Sequence, residues 1–250
     1  MGKRTACLAA LFLVATIPAN AQEAAALIAA GDAFYEQRAD PGQARRAAEK
    51  YGEAARRDPA SYEAHWKAAK ALFYLGRISG DDREKRRAFS DAVGQAKEAV
   101  RVNPEGVEGH YWLGTNYAEY GQARGVLRSL FLRDDIVREM NAVLRINAGF
   151  GCGAAYITLG RIYFKVPPIF GGSLKKSREC LEKARDICPR ETTTLLYLAE
   201  TYWQMKERSL AVETLEQLLR LEPYGAILPE AAKDKAEAER LLRKFKGEDK

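Results

Sequence analysis

A recurring pattern of small residues, aromatic residues and prolines is the feature that most constrains the fold of this chain. Small residues stand at five related positions, 38 to 46 residues apart, which are Gly31, Ala69, Gly114, Gly160 and Ala199. At four of the five, an aromatic residue follows three positions later. Small residues let two helices approach closely, and proline ends a helix because it lacks the N–H and clashes with the preceding turn. The pattern therefore predicts a series of stacked helix pairs.

This pattern resembles the tetratricopeptide repeat, whose period is about 34 residues. Pro59, Pro104, Pro189 and Pro223 each follow a predicted second helix, whereas unit three has Asn147-Ala148 where an Asp-Pro pair is usual. A charged amphipathic segment ends the chain, with Ala238, Leu241, Leu242 and Phe245 on one face. The resemblance implies an all-α, tetratricopeptide-like solenoid of about five helix-turn-helix units with a C-terminal capping helix.

The first 21 residues have the three parts of a secretory signal peptide: a basic start, an apolar run from Cys7 to Ile17, and the cleavage pattern Ala19-Asn20-Ala21. An apolar run this short falls below the roughly 20 residues that a membrane-spanning helix needs. We therefore predict a signal peptide at 1–21, a repeat domain at 22–229, and a C-terminal capping helix and tail at 230–250. Export to the periplasm is expected if the source is Gram-negative.

Composition narrows the function classes. Lys and Arg number 40 against 34 Asp and Glu, and 47% of the residues are hydrophobic, which excludes a disordered tail and a polytopic membrane protein. The weak basic excess, export and interleaved acidic residues argue against nucleic-acid binding. His65 and His110 lie 45 residues apart in matching sequence, so they are expected to pack between helices rather than to bind metal. No catalytic motif is present, and we expect no enzyme, no metal and no cofactor.

The first helices of the units are predicted to line a groove. In tetratricopeptide arrays the exposed side of these helices forms the concave face, and the matching positions here are aromatic with interspersed cations. Such a surface suits a small, partly apolar ligand or an extended chain, and Lys70, Arg161 or Lys165 is suited to a carboxylate. The alternative is that most of these aromatics pack against the neighbouring first helix or the C-terminal helix. The predicted groove residues are Tyr35, Trp66, Lys70, Phe73, Tyr111, Thr115, Arg161, Phe164 and Trp203.

Extra residues fall between the two helices of units two, three and four. Those of unit two are polar, whereas those of units three and four are apolar where plain turns are usually polar. They either pack on each other or form an oligomer or partner surface, since exposed apolar patches often mark contacts. The candidate residues are Leu127, Leu130, Phe131, Ile169 and Phe170.

Three cysteines follow the signal peptide. Cys152 opens the first helix of unit four, and Cys188 closes the second, so the two ends are neighbours in an antiparallel pair. Cys180 and Cys188 on one helix are about 12 Å apart, too far to bridge. A disulfide between Cys152 and Cys188 with Cys180 as a free thiol is one expectation, and three unpaired thiols is the other.

Three segments narrow the resemblance: 109–117 (GHYWLGTNY), 127–132 (LRSLFL) and 159–172 (LGRIYFKVPPIFGG). They look like the T component of TRAP transporters, which import small organic acids and related ligands using an extracytoplasmic solute-binding protein. The resemblance implies an exported, non-enzymatic accessory protein that docks this binding protein, forms a homo-oligomer such as a trimer, and holds or relays a small ligand. One departure is that this chain lacks the lipid-bearing cysteine that members of the family can carry.

Two further functions are compatible with the residues. A general cell-envelope scaffold would use the same groove to bind peptides or proteins. An enzyme with a repeat-built pocket would need a nucleophile, for which the sequence offers no candidate.

Overall fold

The structure of the protein is a computed structural model that describes residues 18–222 and 228–247, without the side chains of residues 126–128 and 228–230. The predicted signal peptide lies outside the described residues up to residue 17. The described residues form eleven α-helices and one 3-10 turn, with no strand. The helices are α1 (Ala19–Glu36), α2 (Pro41–Arg57), α3 (Tyr62–Ile78), α4 (Asp82–Val102), α5 (Val107–Arg124), α6 (Val126–Asn147), α7 (Phe150–Lys165), α8 (Leu174–Ile187), α9 (Thr192–Gln204), α10 (Arg208–Arg220) and α11 (Leu228–Lys246).

The helices are arranged as five antiparallel pairs and a final helix. In each pair the odd-numbered helix, here called helix A, packs on the following even-numbered helix B. Helix A of each unit also contacts helix A of the next, from α1 to α3 through to α9, and α11 packs on both α9 and α10. The predicted all-α solenoid of five units with a C-terminal helix is therefore confirmed. Helix α11 begins two residues before the predicted boundary at residue 230, and α1 begins before the predicted cleavage site.

The small residues of the repeat lie where helix A crosses helix B. A Cβ atom added at Gly31 would lie 2.6 Å from Cε1 of Tyr51, and one added at Gly160 would lie 2.6 Å from Cγ of Leu181. Ala69 and Ala199 are fully buried at the same position in their units. The close crossing leaves no room for a larger side chain, which explains the spacing found in the sequence.

Side-chain caps begin several helices. Asp40, Ser61, Asp81 and Ser173 each accept a hydrogen bond from a backbone N–H in the first turn of the helix that follows. These contacts satisfy donors that have no partner within the helix. The starts of these helices are thus fixed locally as well as by core burial.

The extra residues of units two and three lengthen helices rather than form loops. Only residues 79–81 separate α3 from α4, and only Gly125 separates α5 from α6. Leu132, Ile136, Met140 and Val143 are buried at helical spacing, which explains why α6 remains helical through the apolar segment. Only unit four has a true loop, where Pro168–Phe170 forms the 3-10 turn.

The junction between units three and four has an unusual backbone. Gly151, Cys152 and Gly153 have φ values of 55°, 58° and 74°, so the start of α7 is a left-handed bend before the regular helix. Cys152 is bonded to Cys188 at the end of α8, and the two Cα atoms are 5.2 Å apart. Cys180 is a free, partly buried thiol.

Candidate functional site: the face of the A helices

The contacting A helices form one continuous face, and the predicted groove residues lie on it. All nine of them are half-buried. Half-burial is compatible both with packing between helices and with contact to a ligand. The role of each of these residues is therefore judged from the side chains that it contacts.

The middle of this face is filled by aromatic contacts between helices. Phe73 lies 5.4 Å from Trp112, centroid to centroid, and Tyr111 lies 5.3 Å from Phe150. Phe73 also lies 6.3 Å from Phe89 on α4. Aromatic pairs at these distances stabilise the packed helices beyond their buried area. In this part of the face the contacts favour packing between helices over a free groove. Thr115, another predicted groove residue, lies one turn after Tyr111 on α5.

The C-terminal helix covers the far end of the face. The ring of Trp203 stacks on that of Phe245 in α11, with centroids 3.8 Å apart and parallel planes. The guanidinium of Arg208 lies 4.8 Å from the centre of the Trp203 ring. Trp203 is therefore an anchor for the capping helix rather than an open ligand contact.

Arg161 already has an acidic partner. Its guanidinium donates to Oε2 of Glu200 on α9 at 2.5 Å and lies 4.1 Å from the centre of the Tyr197 ring. The same guanidinium lies 5.2 Å from the centre of the Phe164 ring. Arg161 and Glu200 have the same position in consecutive repeats, so the repeat register itself contains the signal for this pair. Arg161 is thereby engaged between helices and is not a free carboxylate receptor.

A different arrangement occurs between units one and two. The rings of Tyr35 and Tyr74 meet edge to face with centroids 6.2 Å apart. The ammonium of Lys70 lies 4.3 Å from the centre of the Tyr35 ring, and the guanidinium of Arg38 lies 4.9 Å from the same ring and 5.6 Å from that of Tyr74. We call these four residues the Arg38–Lys70 site.

The nearby carboxylate of Asp32 is committed to other donors. Its Oδ1 accepts from the Tyr51 hydroxyl at 2.7 Å, and its Oδ2 accepts from the Lys67 ammonium at 2.7 Å. Within the described ranges, neither Lys70 nor Arg38 forms an ion pair with a carboxylate. Lys70 and Arg38 thus have no carboxylate within ion-pair distance, although Asp32 is close enough to attract Lys70.

The ionisation of Lys70 reflects this surplus of positive charge. Burial lowers the pKa of Lys70 below its ordinary value, and repulsion from Arg38 and Lys67 lowers that pKa further, while attraction by Asp32 partly opposes them. An anion at the site would offset both effects, because it would pair with the desolvated ammonium. Sequence reasoning found Tyr35 and Lys70 but missed Arg38, which lies in the turn after α1 and outside the helical register used to choose groove positions.

The remaining predicted residues are split between two places. Trp66 lies on α3, with the Lys67 ammonium 5.6 Å from its ring centre. Phe131, Ile169 and Phe170 are exposed at the edge where A helices turn into B helices, and Leu130 is half-buried beside them. The side chain of Leu127 lies outside the described residues. In the part of the chain that the structure describes, no cluster of His, Cys, Asp or Glu could hold a metal ion.

Comparisons with known proteins agree with this architecture. A protein-family model described as Regulator of microtubule dynamics protein 1-3 matches residues 27–130, less than half of the chain. A search of curated proteins found no match. These two results do not assign the chain to a family.

The solved structures with this fold are tetratricopeptide-repeat proteins. TTC0263, a thermophilic TPR protein of Thermus thermophilus, is 18% identical with a TM-score of 0.63, over 87% of this chain and 99% of that one. PilF of Pseudomonas aeruginosa is 13% identical with a TM-score of 0.60, over 91% and 94%. YrrB, described as a TPR protein with an unusual peptide-binding site, is 16% identical with a TM-score of 0.51, over 85% and 93%. The chain therefore has the tetratricopeptide-repeat fold.

Proposed function

We propose that the protein is a non-enzymatic interaction scaffold that binds an acidic segment of a protein partner along the face of its A helices. The single observation that carries this proposal is the Arg38–Lys70 site, where two partly desolvated cations lie over tyrosine rings without a carboxylate partner. A carboxylate would complete the site by charge-assisted hydrogen bonds, and the tyrosine rings offer apolar contact to the adjoining chain. YrrB, with the same fold, is described as having a peptide-binding site.

The test is the binding of labelled acidic peptides, measured by fluorescence anisotropy. We expect Glu-rich and Asp-rich 12-residue peptides (about 40 Å when extended) to bind more tightly than Lys-rich peptides of equal length. Substitution of Lys70→Met should weaken binding by about tenfold, since one charge-assisted hydrogen bond contributes about 1.5–3 kcal/mol. Arg38→Met should have a similar effect.

The matched control is Lys97→Met. Lys97 lies 5.8 Å from the centre of the Tyr117 ring, so it repeats the cation–tyrosine contact, but on helix B of unit two. Its substitution should leave peptide affinity unchanged. Equal affinity of the wild type and the Lys70→Met protein for acidic peptides would contradict the proposal.

We propose, as a second candidate, the more specific role of an accessory protein in TRAP-type solute uptake. The same cations suit a small organic acid, and the resemblance of segments 109–117, 127–132 and 159–172 to TRAP T components supports this role. Its partner would be an extracytoplasmic solute-binding protein, its location the periplasm after cleavage at Ala21, and its assembly a homo-oligomer. Direct titration with dicarboxylic and monocarboxylic acids distinguishes the candidates, because acidic peptides alone should bind if the general scaffold is correct.

Cross-linked capture from the native periplasm addresses the partner. Dominant recovery of a solute-binding protein by the wild type would support the uptake role. Recovery of envelope-assembly proteins instead would favour the general scaffold.

A further inference from the structure

Three large apolar side chains protrude from one edge of the solenoid. The exposed fractions are 77% for Phe131, 85% for Ile169 and 52% for Phe170. Arg133 on α6 donates to the carbonyl oxygen of Gly171 at 3.5 Å, which joins the start of α6 to the loop after α7. Phe131 lies in the second turn of α6 and the other two lie in the loop that follows α7, so all three are near the edge where A helices turn into B helices, here called the apolar edge.

The local structure holds this surface outward. Leu132 is buried against the neighbouring helix, so Phe131, one residue earlier and about 100° around α6, faces away from it. In the loop, the N–H of Gly171 donates to the carbonyl of Pro168 at 2.9 Å, and that of Gly172 donates to the carbonyl of Pro167 at 3.1 Å. This closed turn, with two prolines, presents Ile169 and Phe170 to solvent in a fixed position.

Four basic residues lie at the ends of the helices that meet at the apolar edge. Within the described residues, none of four flanking basic side chains forms an ion pair, whereas the exposed Asp134 is held by Arg133 at 2.6 Å. Several of these cations lie over aromatic rings, such as Lys176 at 5.5 Å from the centre of Tyr163. The four cations are Arg124, Lys165, Lys175 and Lys176.

We propose that the apolar edge docks on an anionic lipid bilayer. Apolar side chains with basic flanks match an interface in which the tips enter the boundary between headgroups and acyl chains while the cations pair with anionic headgroups. A second copy of this chain fits less well, because a twofold contact through the same surface would bring the like-charged flanks together. No described helix is long and apolar enough to cross a membrane, so the contact is peripheral.

The proposal is tested by cosedimentation with lipid vesicles. The protein used is the chain from residue 18 onward, which retains every described helix and removes the apolar run at 7–17 that would itself bind lipid. Vesicles contain equal parts of phosphatidylcholine and phosphatidylglycerol, or phosphatidylcholine alone. We expect binding to the anionic vesicles, weak binding to the neutral ones, and a loss of binding as salt is raised, because salt screens the headgroup charges.

Variants assign the binding to the apolar edge. Ile169→Ser combined with Phe170→Ser should reduce affinity for anionic vesicles by about tenfold or more, and Phe131→Ser should do so independently. Ile187→Ser is the matched control, because Ile187 is 41% exposed but lies at the end of α8, at the opposite edge. Circular dichroism verifies that each variant keeps its helices.

Three results would overturn the proposal. They are equal binding to neutral and anionic vesicles, unchanged binding of all edge variants, and a change from oligomer to monomer in the edge variants without lipid. The last would assign the surface to a second copy of the chain. None of these outcomes affects peptide binding at the Arg38–Lys70 site, so this proposal and the proposed function fail separately.

Discussion

At the scale of single residues, the two histidines occupy the same position in consecutive units but differ in their side-chain partner, which is Gln95 in unit two and Glu139 in unit three. His65 contacts the carbonyl oxygen of Pro59 through Nε2 and the Gln95 amide oxygen through Nδ1, at 3.2 and 2.8 Å. His110 makes the equivalent two contacts, with the carbonyl oxygen of Pro104 2.8 Å from Nε2 and with the Glu139 carboxylate 2.7 Å from Nδ1. The expectation that both histidines pack between helices agrees with these contacts.

The charged partner changes the ionisation of His110. The hydrogen bond with Glu139 raises the pKa of His110 above its ordinary value, and the Pro104 carbonyl adds to that rise, while burial and Arg145 oppose it. The imidazolium donates to both acceptors, whereas the neutral ring donates to only one. The extra stability is therefore fully present below the unfolded pKa and is lost as the pH rises through the raised pKa of the folded protein.

We predict that Glu139→Gln, which copies the chemistry of unit two, removes this pH dependence. At about pH 6 the substitution should lower the free energy of unfolding by about 1.5–3 kcal/mol, the contribution of a charge-assisted hydrogen bond. At alkaline pH, once the imidazole of folded His110 has lost its proton, the difference between the wild type and the variant should shrink. Urea unfolding at the two pH values measures both effects.

The reciprocal change, Gln95→Glu, is the control. It should introduce a similar pH dependence in unit two. An unchanged difference between wild type and Glu139→Gln at the two pH values would contradict the assignment to His110.

At the scale of helices, the disulfide and the capping helix secure the second half of the solenoid. The bond between Cys152 and Cys188 joins residues 36 apart and ties the left-handed start of α7 to the end of α8. Burial raises the pKa of the Cys180 thiol, so this third cysteine is a weak nucleophile near neutral pH.

We predict that the non-reduced protein is lighter by two hydrogens than the reduced one and that one cysteine reacts readily with an alkylating reagent only after unfolding. The double substitution Cys152→Ser with Cys188→Ser should lower the free energy of unfolding by about 3 kcal/mol, because the bond restricts the unfolded chain. Mass spectrometry and urea unfolding measure these quantities. Cys180→Ala is the control that leaves the bridge intact, and identical masses with and without reductant would show three unpaired thiols instead.

The capping helix gives a second prediction at this scale. Phe245→Ala removes the stacked partner of Trp203 and should lower the free energy of unfolding by about 2 kcal/mol, less than for a fully buried phenylalanine. Hydrogen exchange should increase first in α11 and α9, since repeat arrays unfold from weakened ends. Lys244→Ala, at an exposed position of the same helix, should have little effect, and equal exchange in both variants would contradict the capping role.

The sequence predicted these helices well where burial has a clear period. The small residues, the prolines and the helix B cores repeat at fixed offsets, and the observed pairs follow them. It was less informative between helices A and B of unit three, where an apolar segment continues α6 because Leu132 and Ile136 share the buried side. Only part of the Arg38–Lys70 site could be predicted from the sequence. Tyr35 and Lys70 follow from the repeat pattern, whereas Arg38 reaches the site because of the turn after α1.

At the scale of the whole molecule, the charged partners along the A helices differ from one end to the other. Arg161 is neutralised by Glu200 toward the C-terminal end, and α11 covers Trp203. Toward the N-terminal end, Lys70 and Arg38 lack such partners among the described residues, and no helix covers them in the way α11 covers Trp203. A carboxylate-bearing partner is therefore expected to bind across units one and two rather than along the full length.

The binding of a carboxylate at the Arg38–Lys70 site is tested most directly by lysine footprinting. The lowered pKa of Lys70 leaves more of its amine neutral than that of an ordinary lysine, so acetic anhydride should modify it measurably near pH 8 (about 2.4 units below the usual lysine pKa). Saturating acidic peptide should slow the acetylation of Lys70 severalfold and leave Lys97 unaffected, as read by mass spectrometry of the digested protein. An acetylation rate at Lys70 that stays the same with saturating peptide would contradict the assignment.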